Sequence, residues 1–286
     1  MKTIYKCFPE GKFKVLTMSY DDGREPDKRL LSLFNKYGIK GTFHLNSALF
    51  KDAPPTPNDV YGLRIPEEEI RELYKGHEIS CHTATHPTIA RAPLAHVAKE
   101  IIADREKLEE LVGYTVRGLS YPNGSYSNEI KTMLPSLGIE YGRVVETTGT
   151  FDLPIDFLEW KGTCKHADPN LLKYAEDFVA LTKKQYMYMF YVWGHSFEFP
   201  RDNNWEVIEK FCEKVGNRDD IWYATNIEIV DYLKACDNLQ YSMKGDFVYN
   251  PNFRSVWVSV AGEIYEIPGG KQVYFSESTK DTQSEN

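Results

Sequence analysis

The chain has 286 residues, of which 42% are apolar and 27% charged, so it can bury a sizeable core and is neither intrinsically disordered nor collagen-like. Its 34 basic and 42 acidic residues give a formal net charge of −8, which disfavours a nucleic-acid surface because phosphates would be repelled. The sequence has no apolar run near the roughly 20 residues that a membrane-spanning helix needs.

Short apolar runs alternate with amphipathic segments through the first 236 residues. The apolar runs predict strands at residues 15–20, 41–45, 78–81, 116–121, 140–145, 157–163, 186–193 and 221–224. The amphipathic segments predict helices at residues 26–37, 66–75, 93–112, 169–181, 204–215 and 227–235. Since parallel neighbours need a crossover, usually a helix, this alternation predicts an α/β protein with a parallel sheet.

Seven or eight parallel strands are typical of a (β/α) TIM-like barrel, here a distorted or incomplete one. An open doubly wound sheet is the main alternative, but no GxGxxG follows the first strand to support a dinucleotide site. From about residue 237 the pattern changes, and residues 239–244, 255–260 and 263–267 alternate like strands without helices between them. We therefore predict a barrel over residues 1–236, a small β-rich appendage over 237–275 and a polar tail over 276–286.

The pattern of cysteines indicates a reducing compartment. All five are scattered and none forms a CxxC pair, which argues against a disulfide framework and a cysteine-rich zinc site. The N-terminus has no continuous apolar segment of the signal-peptide type. We expect a cytoplasmic protein, or a secreted one if a leader has been removed.

Polar residues follow four of the predicted strands, where the loops of a barrel form its functional face. They are Asp21 and Asp22 after the first strand, His82 and His86 after the third, Asn123 after the fourth, and His195 after the strand at 186–193. Histidines at i and i+4 can bind one metal ion, although loop histidines also make ordinary hydrogen bonds. Adjacent aspartates are common in turns, but at a buried strand end they are costly unless a cation neutralises one. His195 is either a hydrogen-bonded core or rim residue, or a general acid that titrates near neutrality.

Four motifs containing these residues resemble those of a known family. They are SYDDG at 19–23, HTATH at 82–86, SYPNG at 120–124 and VWGH at 192–195. In this order, and with the strand–helix alternation, they resemble the polysaccharide deacetylases, carbohydrate esterase family four with a NodB-like domain, over about residues 12–236. The resemblance implies that Asp21 is the catalytic base, that His195 is the general acid, and that Asp22, His82 and His86 bind a divalent metal, most often zinc.

The resemblance also implies substrate-binding residues. Asn123 falls where a backbone N–H helps to stabilise the tetrahedral oxyanion, and Tyr121 of the same motif is expected to contact substrate. Trp160 is expected either to line the acetyl pocket or to belong to the barrel core. One position departs from the family pattern, because Ser120 stands where an arginine usually pairs with the catalytic aspartate. Arg143, on the next predicted strand, is a candidate replacement.

These observations predict a metal-dependent carbohydrate deacetylase, a hydrolase of carbon–nitrogen bonds other than peptide bonds or of carboxylic esters. The expected substrate is an acetylated oligosaccharide or polysaccharide, containing N-acetylglucosamine or O-acetylated sugar, with no nucleic acid or membrane as partner. Hydrolysis of a non-sugar amide or cyclic imide on the same fold is one alternative. An inactive carbohydrate-binding relative, suggested by Ser120, is another. The oligomeric state is left open.

Overall fold

The computed structural model of the protein describes residues 3–50 and 62–275, and the predicted polar tail at 276–286 lies outside them. The described chain separates into two compact units. The larger unit spans residues 14–183 and 188–230, and the smaller contains residues 3–13, 184–187 and 231–275. In these described parts of the chain, no helix is both long and apolar enough to cross a bilayer.

The strands and helices are numbered in chain order within the described residues. The strands are β1 Ile4–Cys7, β2 Lys14–Asp21, β3 Gly41–Leu45, β4 Glu78–Cys81, β5 Gly118–Ser120, β6 Tyr141–Thr147, β7 Trp160–Gly162, β8 Cys164–Lys165, β9 Tyr188–Gly194, β10 Ile221–Tyr223, β11 Gln240–Tyr241, β12 Phe247–Tyr249, β13 Val256–Val260, β14 Glu263–Ile267 and β15 Gln272–Tyr274. The helices are α1 Asp27–Lys36, α2 Ile70–Leu73, α3 Leu94–Val112, α4 Asn128–Met133, α5 Leu171–Ala180, α6 Glu198–Asp202, α7 Trp205–Val215 and α8 Asn226–Asp237.

The larger unit is built on a parallel sheet in the order β7-β6-β5-β4-β3-β2-β9-β8, with β10 also paired to β2. Its two ends meet through Thr163, the single residue between β7 and β8. The Thr163 N–H donates to the Tyr191 carbonyl at 2.7 Å, and β8 continues along β9. The sheet therefore closes on itself as a distorted (β/α) TIM-like barrel, which confirms the predicted fold class.

Local sequence explains why these segments fold as they do. Every residue of β2 is buried, as expected for a parallel strand that is covered on both faces. Helix α3 buries Val97, Ile101 and Leu108, and it ends at Gly113, whose φ of 78° is the left-handed conformation that glycine adopts at little cost. The predicted helix at 66–75 forms as a 3₁₀ turn followed by the short helix α2.

The smaller unit contains two antiparallel three-stranded sheets, β1-β13-β14 and β11-β12-β15. The strands predicted at 255–260 and 263–267 correspond to β13 and β14. The sequence did not predict β1, β12 or β15, because runs of three or four residues are too short to show a clear period. Pairing of β1 with β13 places the N-terminal strand beside the C-terminal ones. The domain boundary at residues 236–237 stays a prediction.

Candidate active site

The carboxyl ends of β2, β4, β5 and β9 open on one cavity of about 310 Å³ in the larger unit. It is lined by Asp21, Asp22, Arg24, Arg64, His82, His86, Tyr121, Asn123, Val145, Trp193, His195 and Phe197. Seven of the eight residues predicted from sequence lie in this lining, and Trp160 does not. Four loops that are distant along the chain thus converge on one site.

Asp22, His82 and His86 form a cluster suited to a metal ion. One ligand atom from each lies within 4.8 Å of the others. Nδ1 of His82 lies 2.7 Å from the Ser120 carbonyl, so this nitrogen is the protonated donor and Nε2 is left as a lone-pair ligand. The rings of His82 and His86 lie edge to face, with centroids 4.7 Å apart. One carboxylate and two imidazoles are donors that bind zinc and leave coordination positions open, so the residues fit the metal that the family resemblance implies.

The loops that present these groups have unusual backbone conformations. Asp22, Thr83, His86 and Asn123 all have positive φ, at 80°, 62°, 59° and 55°. This region is tolerated by aspartate and asparagine but is costly for a β-branched residue such as threonine. Such strain tends to persist where surrounding contacts impose it, and functional sites are a common location.

Buried polar side chains supply those contacts. The Asn46 amide donates to the carbonyls of His82 at 2.7 Å and Thr83 at 2.9 Å. The Asp104 carboxyl accepts the backbone N–H of His82 at 2.9 Å. Arg64 donates to the carbonyl of Asp22 and to Oδ1 of Asn46. The loops after β2 and β4 are therefore joined through one hydrogen-bond network.

Asp21 lies beside the candidate metal cluster, is only 3% exposed, and is paired with Arg143. Arg143 and Ser120 are opposite each other in the parallel register of β6 and β5. Nη2 of Arg143 donates to Oδ2 of Asp21 and to Oγ of Ser120, and Oγ of Ser120 lies 3.3 Å from the same carboxylate oxygen. Among the described residues, Oδ1 of Asp21 accepts no hydrogen bond. One oxygen is thus held by a cation while the other is left to accept a proton.

The charges around the cavity set the protonation states. Burial opposes ionisation of Asp21, but Arg143 together with His82 holds the pKa of that carboxyl well below its usual range. The pKa of Asp22 is likewise lowered, since His195, His82 and Arg64 outweigh the effect of burial. Burial lowers the pKa of His82 to about 4, which keeps its imidazole neutral as metal ligation requires.

His195 faces the cluster from the end of β9. Its Nε2 lies 3.8 Å from Oδ2 of Asp21, and its Nδ1 lies 3.3 Å from Oε1 of Glu198. Burial lowers the pKa of His195, but the contact with Glu198 and the charges of Asp21 and Asp22 outweigh it, so the pKa is raised overall. In its protonated form, an imidazole that faces the cavity is able to donate a proton to a leaving group.

The cavity wall differs from the prediction at Trp160. This side chain is fully buried and packs edge to face against Tyr141 and Tyr191, with centroids 5.6 Å and 5.1 Å away, so the core alternative describes its position. The tryptophan that lines the cavity is Trp193, which the sequence reasoning did not single out although it lies within VWGH. It packs under the Arg143 guanidinium, 4.5 Å from the ring centroid.

Other cavity residues were also missed. Arg24 and Arg64 are buried side chains brought together by a backbone bridge between their own residues, and the adjacency of Arg24 to SYDDG was the one available signal. Val145 lies near the end of β6, and Phe197 follows His195 by two residues. Neither belongs to a motif, so chain position alone did not identify them.

A known protein family has a sequence model that matches more than half of the barrel residues. The sequence model of one family, described as Polysaccharide deacetylase, matches residues 9–142. That segment contains the aspartate pair, both histidines of the candidate metal cluster and the SYPNG motif. The family resemblance drawn from the motifs is thereby confirmed.

Two curated relatives have similar sequences over part of the chain. Peptidoglycan-N-acetylmuramic acid deacetylase PdaC of Bacillus subtilis is 26% identical over 126 residues, which cover 42% of this chain and 24% of that protein. Peptidoglycan-N-acetylglucosamine deacetylase of Bacillus cereus is 30% identical over 126 residues, which cover 43% of this chain and 41% of that protein. The matched segments therefore span less than half the length of either relative.

A solved structure extends the similarity to most of the chain. The crystal structure of a Mycobacterium smegmatis protein assigned as a polysaccharide deacetylase superposes with a TM-score of 0.57. The two sequences are 16% identical, and the match covers 83% of this chain and 96% of the other. At this identity the likeness supports the barrel fold alone.

Proposed function

Because residues 9–142 match the sequence model of the polysaccharide deacetylase family, we propose that this protein is a metal-dependent hydrolase that removes acetyl groups from an acetylated carbohydrate. The observation that carries the proposal is the meeting of two groups of residues in one cavity. Asp22, His82 and His86 offer metal ligands within 4.8 Å of one another, and Asp21 lies 3.8 Å from both His82 and His195. A general base and a general acid thus flank the candidate metal position.

Asp22, His82 and His86 would hold the metal, and zinc suits this donor set best. When bound, such an ion polarises a carbonyl and makes water more acidic. The chain's own contribution is to present neutral imidazoles and one ionised carboxylate in a fixed arrangement. The hydrogen bond from His82 Nδ1 to Ser120 and those from Asn46 to the loop carbonyls fix the direction of the ligand nitrogen.

Asp21 and His195 would move the protons. Asp21 Oδ1 is buried and accepts no hydrogen bond from the described residues, so it is available to take a proton from the attacking water. His195, with its raised pKa, would return a proton to the departing amine or alkoxide. Two titratable groups whose environments push their pKa values in opposite directions fit a base and an acid in the same reaction.

The remaining cavity residues would orient the acetyl group and the sugar. The backbone of Asn123 at the turn after β5 is our candidate for stabilising the oxyanion. Tyr121 and Trp193, 1% and 7% exposed, line the cavity and would form part of the wall around the acetyl group. An N-acetylated amino sugar of the peptidoglycan or chitin type is the substrate class we favour, because the two curated relatives are named for deacetylation of peptidoglycan amino sugars.

The position of Arg143 bears on the alternative that the protein is an inactive carbohydrate-binding relative. That alternative was suggested by Ser120 in place of an arginine, which would leave Asp21 without its cationic partner. Arg143 supplies the partner from the neighbouring strand, so the departure at Ser120 is not an argument for lost turnover. A panel of acetylated sugars and cyclic amides separates the sugar hydrolase from the cyclic imide hydrolase.

The proposal is tested with the zinc-loaded protein and its Asp21→Asn variant. The wild type should release acetate from N-acetylglucosamine oligomers, and the variant should bind zinc with similar affinity but lose turnover by roughly three orders of magnitude or more. Asp202→Asn, on the exposed face of α6, is the matched control and should retain full turnover. Equal rates for wild type and Asp21→Asn would remove Asp21 from the mechanism, and no acetate release from any acetylated sugar would refute the proposed function.

A further inference from the structure

Behind the candidate site, one buried carboxylate contacts two imidazoles and a lysine. Glu198 is the first residue of α6, and its side chain is 6% exposed. Its Oε1 lies 2.7 Å from Lys165 Nζ and 3.3 Å from His195 Nδ1, and its Oε2 lies 2.9 Å from His166 Nε2. The family motifs do not include Glu198, His166 or Lys165, and none of the three lines the cavity.

His166 is held rigidly in this cluster. Its ring stacks on Phe199, with centroids 4.3 Å apart, and on Tyr20 at 5.5 Å. Its Nδ1 lies 3.2 Å from the Tyr20 hydroxyl, which is able to donate to it, so Nε2 carries the proton and faces Oε2 of Glu198 at 2.9 Å. Burial lowers the pKa of His166 and favours this neutral form.

Gly194 shows how closely His166 is packed. A Cβ added to Gly194 would lie 2.1 Å from Nδ1 of His166, a distance that no side chain could occupy without displacing the ring. The glycine of VWGH is therefore required so that His166 can lie against the end of β9. The ring that faces Glu198 is thereby packed directly behind His195, the residue that follows Gly194.

We propose that Glu198 is a positioning residue for His195, and that Lys165 and His166 hold Glu198 in the orientation that this requires. The inference rests on the proposed function and adds to it the group through which the general acid is oriented and kept protonated. A carboxylate opposite Nδ1 fixes the His195 tautomer and directs Nε2 toward the cavity and Asp21. The same negative charge stabilises the imidazolium.

Within the described residues, few charged groups face His195 and Glu198. His195 faces Asp21, Asp22 and Glu198, and all three raise its pKa. Glu198 faces His195, His166, Lys165 and Arg201, whose Nη2 is 4.0 Å away. Neutralising Glu198 removes the anion that lies 3.3 Å from Nδ1 of His195, so the imidazole is expected to titrate at lower pH.

The first experiment compares pH profiles of kcat/KM for wild type, Glu198→Gln and Asp202→Asn. Asp202→Asn is the matched control, because it neutralises a carboxylate on the same helix that pairs with Arg201 at the surface. In Glu198→Gln we expect the basic limb to move at least about one pH unit lower and kcat to fall roughly 10- to 100-fold, with KM within about threefold. The control should leave the limb unmoved. A limb that stays in place in Glu198→Gln, whatever the change in rate, overturns the proposal.

A second measurement does not depend on turnover. Side-chain NMR titration of the histidines in the zinc-loaded full chain, with the His195 signal assigned from a His195→Asn variant, gives the imidazole pKa directly. Glu198→Gln should lower it by about one unit or more relative to wild type and to Asp202→Asn. An unchanged His195 pKa refutes the role of Glu198. If wild type released no acetate from any sugar, the proposed function would fail while this comparison still decided the role of Glu198.

Discussion

Arg143 reaches Asp21 from the strand next to the one on which the family resemblance places an arginine. Ser120 and Arg143 are register partners on β5 and β6, so a side chain from either position points to the same part of the barrel interior. The short side chain of Ser120 leaves room for the guanidinium, which donates both to Oγ of Ser120 and to Oδ2 of Asp21. The cation has moved by one strand while its contact with the carboxylate is retained.

Removal of Arg143 should therefore damage both stability and turnover. In Arg143→Gln, Asp21 would remain buried without its cation, and breaking such a pair typically costs about 3–5 kcal/mol. We expect kcat/KM to fall at least about 100-fold and the thermal midpoint to drop, measured by acetate release and by differential scanning fluorimetry. Arg117→Gln, which breaks the partly exposed pair with Glu140, is the control and should cost under about 1 kcal/mol.

A relocated arginine separates the position of the charge from its presence. The double variant Ser120→Arg with Arg143→Ser returns the cation to β5 and leaves its former place to a small hydroxyl. If the requirement is a guanidinium beside Asp21, this variant should be more active and more stable than Arg143→Ser alone. Equal activity of the single and the double variant would show that the path taken by Arg143 matters, and not only its charge.

The sequence predicts those site residues that come after the ends of predicted strands. Asp21, Asp22, His82, His86 and His195 follow directly after apolar runs, and parallel strands bring their carboxyl ends to one face, so convergence follows from the fold. Glu198 could not be predicted in this way. It begins α6, a five-residue helix that contains Pro200, and its partner His166 comes from a different loop. Such contacts depend on side-chain packing that periodicity does not encode.

The two tryptophans show the same limit. The family resemblance named Trp160 for the cavity, although it is the middle residue of the strand predicted at 157–163. Trp193, the last residue of the strand predicted at 186–193, was not named. The structure has the reverse arrangement, because Trp160 begins β7 with its ring among Tyr141 and Tyr191, whereas Trp193 lies near the end of β9. A three-residue strand such as β7 is too short for its period to show which face points inward.

Substitution of each tryptophan by phenylalanine should therefore have different consequences. Trp193→Phe reduces a wall of the cavity and weakens the cation–π contact with Arg143, so we expect KM to rise roughly 3- to 10-fold with a modest loss of stability. Trp160→Phe removes fully buried aromatic volume and should lower the unfolding free energy by about 1–3 kcal/mol, with KM within about twofold of wild type. Steady-state kinetics and urea denaturation of both variants measure the two effects. A KM that rises in Trp160→Phe and not in Trp193→Phe would contradict the assignment of the cavity wall.

Asp27 provides a test in which pH changes stability. The carboxyl is fully buried at the start of α1, its Oδ2 accepts the Tyr74 hydroxyl at 2.6 Å, and burial raises its pKa to about 7. In the unfolded chain it titrates near 3.8. Between these two values the native state binds more protons than the unfolded state, so the contribution of Asp27 to the unfolding free energy declines as pH rises and is least favourable above about pH 7.

Asp27→Asn should remove that dependence, because the amide cannot ionise and its oxygen can still accept from Tyr74. At pH 4 the two proteins should have similar unfolding free energies, and at pH 8 the variant should be more stable by on the order of 3 kcal/mol, since each unit of pKa difference is worth about 1.4 kcal/mol. Urea titrations at both pH values measure the difference, with Asp177→Asn on the exposed face of α5 as the control whose effect should be the same at both. A stability gain in Asp27→Asn that is equal at pH 4 and pH 8 would mean that Asp27 does not take up a proton in the native state over this range.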